Sequence, residues 1–242
     1  MSFPAGAHRD LAGGPGSAPC PVESFPALDS LSFLRAAFIQ RCPSVETAAD
    51  RQLALERLWP LHRQTAKTLG FSDPLAFAEQ VHGDRVAAVD SPRREPIPAA
   101  DGLITDRAGV CLAIYVADCA AVYLADRTRR AIGLVHAGKK GTQLQIVPKA
   151  IAAMRAAFGT NPADLVVQIS PCIRPPYYEL DFAAEIIRQA REAGVRDVFD
   201  CGTCTASNLE RYYSYRREKG HTGRLLALAE ITSRPSGKSA AG

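Results

Sequence analysis

The sequence predicts a mixed α/β sandwich, and three observations carry that prediction. Strand-like and helix-like segments alternate along the chain, but without the regular strand-helix-strand period of a doubly wound sheet. Two apolar, β-rich runs, 111–124 and 131–135, are joined by the charged link 126–130 and read as a hairpin or neighbouring strands. A chain of 242 residues is long enough to bury a substantial core.

Taken in order, residues 1–24 are rich in Gly, Pro, Ala and Ser with no periodic apolar face, and are expected to form a flexible tail. The apolar segment 30–40 is expected to be a strand. Over 50–69, Leu and Ala recur at helical spacing, which predicts a helix with Leu55, Leu58 and Leu69 on its buried face and Gly70 as its stop. Strand-like 76–81 and 86–89 flank a turn at Gln80-Val81-His82-Gly83, and a Pro-rich link, 91–99, leads into the central stretch. Beyond that stretch a helix is predicted over 145–158, with Pro148 tolerated in its first turn. There follow a buried strand at 165–169, a loop at 170–176, an amphipathic helix at 182–193 closed by Gly194, and a strand at 195–199. Strand-like pieces at 212–217 and 225–231 come last, before a polar tail from Ser233. The domain expectation is one unit, 25–232, between tails 1–24 and 233–242.

Composition narrows the function classes. A formal charge of +4 comes with no basic block dense enough for a nucleic-acid track, and Arg127, Arg129 and Arg130 read as a solvated turn. No apolar run reaches bilayer length, and the first residues lack the apolar centre of a signal peptide, so a cytoplasmic protein without membrane partners is expected. Seven cysteines, an odd number without framework spacing, are expected to be thiols or ligands in a reducing compartment.

Chemistry concentrates in the central stretch. Cys119 lies seventeen residues before His136, a gap that an out-and-back pair of strands closes, and His82 sits in the upstream turn. One thiolate and two imidazoles suit tetrahedral Zn²⁺ with a fourth position open to water or substrate. A cysteine in an apolar run is more often a small core residue, so spacing alone leaves that alternative open. The near-match Gly133-Leu-Val-His-Ala-Gly138-Lys139-Lys140 to a phosphate-binding loop puts Lys140 where the metal-binding hydroxyl belongs, and a triphosphatase is rejected. Lys139 and Lys140 remain as point charges able to attract an anion. Cys201-Gly-Thr-Cys204 is half a zinc site, a redox pair or two structural thiols. Tyr212-Tyr-Ser-Tyr-Arg216-Arg217 either packs as a strand or stacks a base and binds an anion.

The motifs ADGLITD, VADCAAVYLAD, GLVHAGKKG, ISPCI and CTASNLERYYSYRREKGHTGR, with QVHGDRV upstream, together resemble the multicopper polyphenol oxidase (laccase-domain) family, also described as purine nucleoside phosphorylase-like. The resemblance covers roughly residues 76–232, in order. It implies a layered α/β/β/α sandwich with mixed sheets, similar to the cysteine-hydrolase domain of necrotizing toxins. It also implies a catalytic zinc site at His82, Cys119 and His136; beside that set, Asp118, Lys139, Lys140 and Arg216 are expected to bind substrate. The family's activities are phosphorolysis of adenosine, inosine, guanosine or methylthioadenosine and hydrolytic deamination of adenosine. Zinc is expected rather than copper, because one thiolate and two imidazoles cannot alone build a several-copper cluster. Lys139-Lys140 replace the family's Trp-Arg, and its amino-terminal loop and helical Asn-Arg pair survive only as Arg41-Cys-Pro-Ser44 and His62-Arg63. Two alternatives follow: a Cys-His hydrolase editing peptidoglycan precursors, with Cys119 as nucleophile and His136 as base, or a ligand-binding member that has lost turnover.

Overall fold

The computed structural model describes residues 20–232, and the counts below are of those residues. Two mixed sheets stack face to face. The first has the order β1 (Val22–Glu23), β2 (Leu34–Ile39), β11 (Leu225–Ile231), β6 (Cys111–Val116), β3 (Ala76–Phe77), with only β3 on β6 parallel. The second has the order β10 (Asp197–Asp200), β9 (Leu165–Ile169), β7 (Ala120–Asp126), β8 (Ile132–Ala137), β5 (Gly102–Thr105), β4 (Val86–Ala88), antiparallel inside and parallel at both edges.

Alternation along the central strands sorts their side chains between two cores. Ala121, Tyr123 and Ala125 of β7 and Ile132 and Leu134 of β8 enter the core that also holds Leu112, Ile114, Leu226 and Leu228 of the facing sheet. Val122 and Leu124 point the other way, into a core shared with Ile146, Ile151 and Met154 of α4 (Ile146–Phe158) and Phe182 and Ile186 of α5 (Phe182–Glu192). On the far side, α2 (Arg51–Thr68), the next helix after the four-residue α1 (Pro26–Asp29), packs Leu58, Leu61 and Ala66 with the first sheet. The order of layers is therefore α/β/β/α, the expected fold class. The Tyr123 hydroxyl donates to the Ala37 carbonyl of β2 at 2.8 Å, tying the sheets together across their shared core. Among the described residues no helix is long and apolar enough to cross a membrane.

Several expectations need correction. The apolar run 111–124 is two strands in different sheets, β6 and β7, because the chain turns through Asp118 at φ +82° and crosses from one sheet to the other. Leu69 is 37% exposed; the buried face of α2 consists of Ala54, Leu58, Leu61, His62, Thr65 and Ala66. Segment 212–217 is a turn, since Ser214 N–H donates to Glu218 within the same loop and no neighbouring strand takes its backbone, while Tyr212 and Tyr213 reach the core by side chain. Ordered chain begins before residue 25: Val22–Glu23 pairs with β2, and Cys20 forms a disulfide with Cys42, which overturns the reading of every cysteine as a thiol or ligand. The remaining expected tails, residues 1–19 and 233–242, lie outside the described residues.

Candidate active site

Three segments deliver three donors to one point. His82 comes from the tight turn after β3, where Gln80 and His82 adopt left-handed backbone (φ +61° and +60°) that costs about 1–2 kcal/mol per non-glycine residue. Two anchors hold that turn. The Gln80 side chain exchanges hydrogen bonds with the Tyr115 backbone of β6, at 2.6 and 2.9 Å. The fully buried Asp101 carboxylate, just before β5, accepts from the backbone N–H groups of Val81, His82 and Gly83 at 3.1, 2.9 and 2.7 Å.

Cys119 is placed by the crossing at Asp118. The Asp118 oxygens accept from the Thr205 hydroxyl and the Arg216 backbone N–H, each at 2.7 Å, and its carbonyl accepts from Ile173 N–H at 2.8 Å. Asp118 thus spends both carboxylate oxygens on the protein, locking the 205 and 216 loops beside the thiol. Gly138 sits over the sulfur so closely that a Cβ there would lie 2.5 Å from Cys119 Sγ. Its backbone is extended, so close approach, not conformation, demands glycine.

His136 lies opposite Ala121 in the β7–β8 ladder. Its Nδ1 is 2.8 Å from Asp101 Oδ1; the ionised carboxylate accepts a hydrogen bond from Nδ1–H, which leaves Nε2 as the ring's ligand atom. The His82 and His136 rings meet edge to face with centroids 4.7 Å apart, and one ligand atom from each of His82, Cys119 and His136 lies within 4.8 Å of the others. His82 is exposed and His136 only 4% so, and solvent reaches the cluster from the His82 side.

Charge is organised around the thiol. Burial alone would push the Cys119 thiol up, but the charge and hydrogen bond of His136, then those of His82, outweigh it and bring the thiol down to about 6. Burial likewise opposes protonation of His136, yet the Cys119 sulfur and the Asp101 carboxylate raise it to about 9. Burial works to raise Asp101, and hydrogen bonds from His136 and the turn amides nevertheless hold it below the usual carboxylate range. Two imidazoles and an easily ionised thiolate, one imidazole oriented by a carboxylate, are the donor chemistry of a zinc site.

Of the other expected residues, Lys139, Lys140 and Arg216 are exposed. Glu179 bridges Lys139 and Arg216 at 3.5 and 2.7 Å, Arg216 lies over the Tyr178 ring at 4.8 Å, and Lys140 is exposed on the first turn of α3 (Lys139–Gln143). Cys201 and Cys204 belong to no metal-donor cluster among the described residues; the Cys204 backbone forms an isolated parallel β-bridge with that of Cys172, and both thiols are free. Three contributors escaped the sequence reading. Asp101 and Gly138 stood inside quoted motifs, but what makes them essential is a backbone partner and a tertiary approach. Arg224, 9% exposed, donates to the carbonyls of Thr222 and Gly223 at 2.9 Å. Its pKa is brought down to about 10 by burial and then by Arg51, against the pull of Cys119 and Asp118, so a buried cation stands within electrostatic reach of the thiol.

The family model described as multi-copper polyphenol oxidoreductase laccase matches residues 54–185 and 178–232. A purine nucleoside phosphorylase of Streptomyces coelicolor is 33% identical over 189 residues, 66% of this chain and 76% of its own length. Purine nucleoside phosphorylase YlmD of Bacillus subtilis is 28% identical over 191 residues, 63% of this chain and 69% of its own. The crystal structure of YlmD from Geobacillus stearothermophilus superimposes with a TM-score of 0.79 at 25% identity, covering 86% of this chain and 94% of that one. YfiH of Bacillus licheniformis, at 23% identity and a TM-score of 0.73, covering 82% and 93%, shares the fold. With its matched residues spanning both sheets and all three donor segments, the chain belongs to the multi-copper polyphenol oxidoreductase laccase family.

Proposed function

We propose that this protein is a zinc-dependent enzyme acting on purine nucleosides, by phosphorolysis of adenosine, inosine or methylthioadenosine or by deamination of adenosine. The observation that carries the reading is the convergence of His82, Cys119 and His136, with Asp101 hydrogen-bonded to His136. The names of the relatives supply the substrate class. His82 and Cys119, with Nε2 of His136, would hold the ion, which would supply Lewis acidity there. A cluster of several coppers needs more donors than these three.

The chain's own residues do the rest. Asp101 keeps the Nδ1 proton on His136 and so keeps Nε2 pointed at the reaction point. Arg224 offers a desolvated guanidinium to phosphate, with the exposed Lys139 and Arg216 drawing the anion in. Tyr215, 55% exposed and 5.9 Å from the Arg224 guanidinium, presents a ring on which a purine can stack. Asp118 acts through the loops it locks, holding Arg216 in register. Zinc-loaded protein given adenosine and phosphate should release adenine and ribose 1-phosphate, or inosine and ammonia, on chromatography. No product from any common purine nucleoside would refute the reading.

The depressed Cys119 thiol favours one other reading. Cys119, His136 and Asp101 also form a nucleophile, base and orienting acid suited to amide hydrolysis. Hydrolysis of a cell-wall amide that survives chelation and stops on alkylation of Cys119 would establish it; strict zinc dependence would exclude it.

A further inference from the structure

A second cluster of metal-binding atoms lies on the opposite side of the first sheet, away from the proposed reaction centre. Cys20 precedes β1, Cys42 follows β2, and His62 comes from the middle of α2; their ligand atoms lie within 4.8 Å of one another. All three are buried, at 3%, 1% and 0% exposure. The two cysteines are held by separate contacts. Cys20 N–H donates to Thr65 Oγ1 at 3.2 Å, one turn along α2 from His62, and Cys42 N–H donates to the Tyr213 hydroxyl at 3.2 Å.

The disulfide explains the two sulfurs but not the imidazole. Among the described residues neither ring nitrogen of His62 has a hydrogen-bond partner, and its only ring neighbour is Tyr115 at 5.7 Å. An unsatisfied buried polar group is destabilising, and a leucine at this helical position would avoid that cost. Burial also brings the His62 pKa down to about 3, so the ring stays neutral with a lone pair available.

We propose that reduction of the Cys20–Cys42 disulfide turns these residues, with His62, into a buried two-thiolate, one-imidazole site for a thiophilic cation of the zinc type. The reductant is a dithiol or a phosphine. A dithiol transfers two electrons and two protons to the disulfide and itself becomes a disulfide; a phosphine takes up oxygen from water and gives the same two thiols. Binding of M²⁺ then releases both thiol protons, and His62 binds through a nitrogen already unprotonated. The disulfide and the metal are alternative closures of the same three-segment junction. Strand β1, a two-residue pairing at the sheet edge, is the element that must loosen to admit the ion.

The test compares the full chain in its oxidised form with the same chain reduced anaerobically by a phosphine, each equilibrated with Zn²⁺ and freed of loose metal by gel filtration. The reduced protein should retain one more zinc per chain than the oxidised protein. That extra zinc should be absent in Cys42→Ser and bound at least tenfold more weakly in His62→Gln, while both variants keep the zinc content of the oxidised wild type. Cobalt(II) in place of zinc should add a thiolate-to-metal absorption band on reduction. Equal zinc content in the two redox states of the wild type would overturn the proposal, as would an extra zinc that persists in Cys42→Ser. Because the readout is a difference between redox states, it stands or falls independently of the metal at His82, Cys119 and His136.

Discussion

Four donors converge on one carboxylate at Asp101: the N–H groups of Val81, His82 and Gly83, and Nδ1 of His136. A single side chain therefore sets the position of one proposed ligand through its backbone and the tautomer of another through its ring. Asp101→Asn removes one acceptor oxygen and the charge that stabilises protonated His136. Metal affinity is expected to fall about 10–100-fold, the range for lost partners of a ligating histidine, as measured by competition with a chromophoric chelator. The metal-free protein gives a second readout at Cys119. Only thiolate reacts with iodoacetamide, and the thiolate fraction rises with pH through the thiol pKa. Alkylation of Cys119 should therefore reach half its plateau rate near pH 6 and be flat above neutrality. A midpoint at or above about 8.5, the value of a free thiol, would show that the two histidines do not act on this sulfur. In Asp101→Asn the midpoint should move upward, because His136 then carries less positive charge beside the sulfur.

At the scale of elements, the β7–β8 hairpin does most of the positioning. Its register puts Ala121 opposite His136 and Ala120 opposite Ala137, so Cys119 and Gly138 flank the next step. This much was legible in the sequence: two apolar runs, a charged link and a histidine at the end of the second run suffice to predict the pairing. The crossing at Asp118 was not legible, since residues on both sides of it are equally apolar and both strands are buried throughout. Asp101 was hidden for a different reason: three of its partners are backbone amides, which no side-chain pattern records. Gly138→Ala tests the close approach at the hairpin's end. A Cβ 2.5 Å from Sγ must displace the Cys119 sulfur, so metal affinity should drop at least tenfold while the thermal midpoint shifts by only a few degrees. Unchanged affinity would show that the sulfur can move without leaving the site.

Across the whole molecule, layering brings donors from distant segments to one point, and the Cys20–Cys42 bridge fastens the start of the described chain to the loop after β2. The α/β/β/α order could be anticipated from alternating elements and family motifs. The bridge could not, because pairing across a separation of 22 depends on β1 joining the sheet edge, and 1–24 read as tail. Loop-closure entropy for that separation predicts about 3 kcal/mol of stabilisation. Chemical unfolding of reduced protein, with chelator present, should show that loss as a lower denaturant midpoint; an unchanged midpoint would mean that the bridge does not constrain the unfolded chain. The central claim is the shared metal site, and metal content tests it most directly. Oxidised wild-type protein, His82→Ala and Cys119→Ala are equilibrated with Zn²⁺, desalted and analysed for zinc per chain. About one zinc in the wild type and none in either variant is the predicted result; zinc retained in both variants at the wild-type level would contradict it.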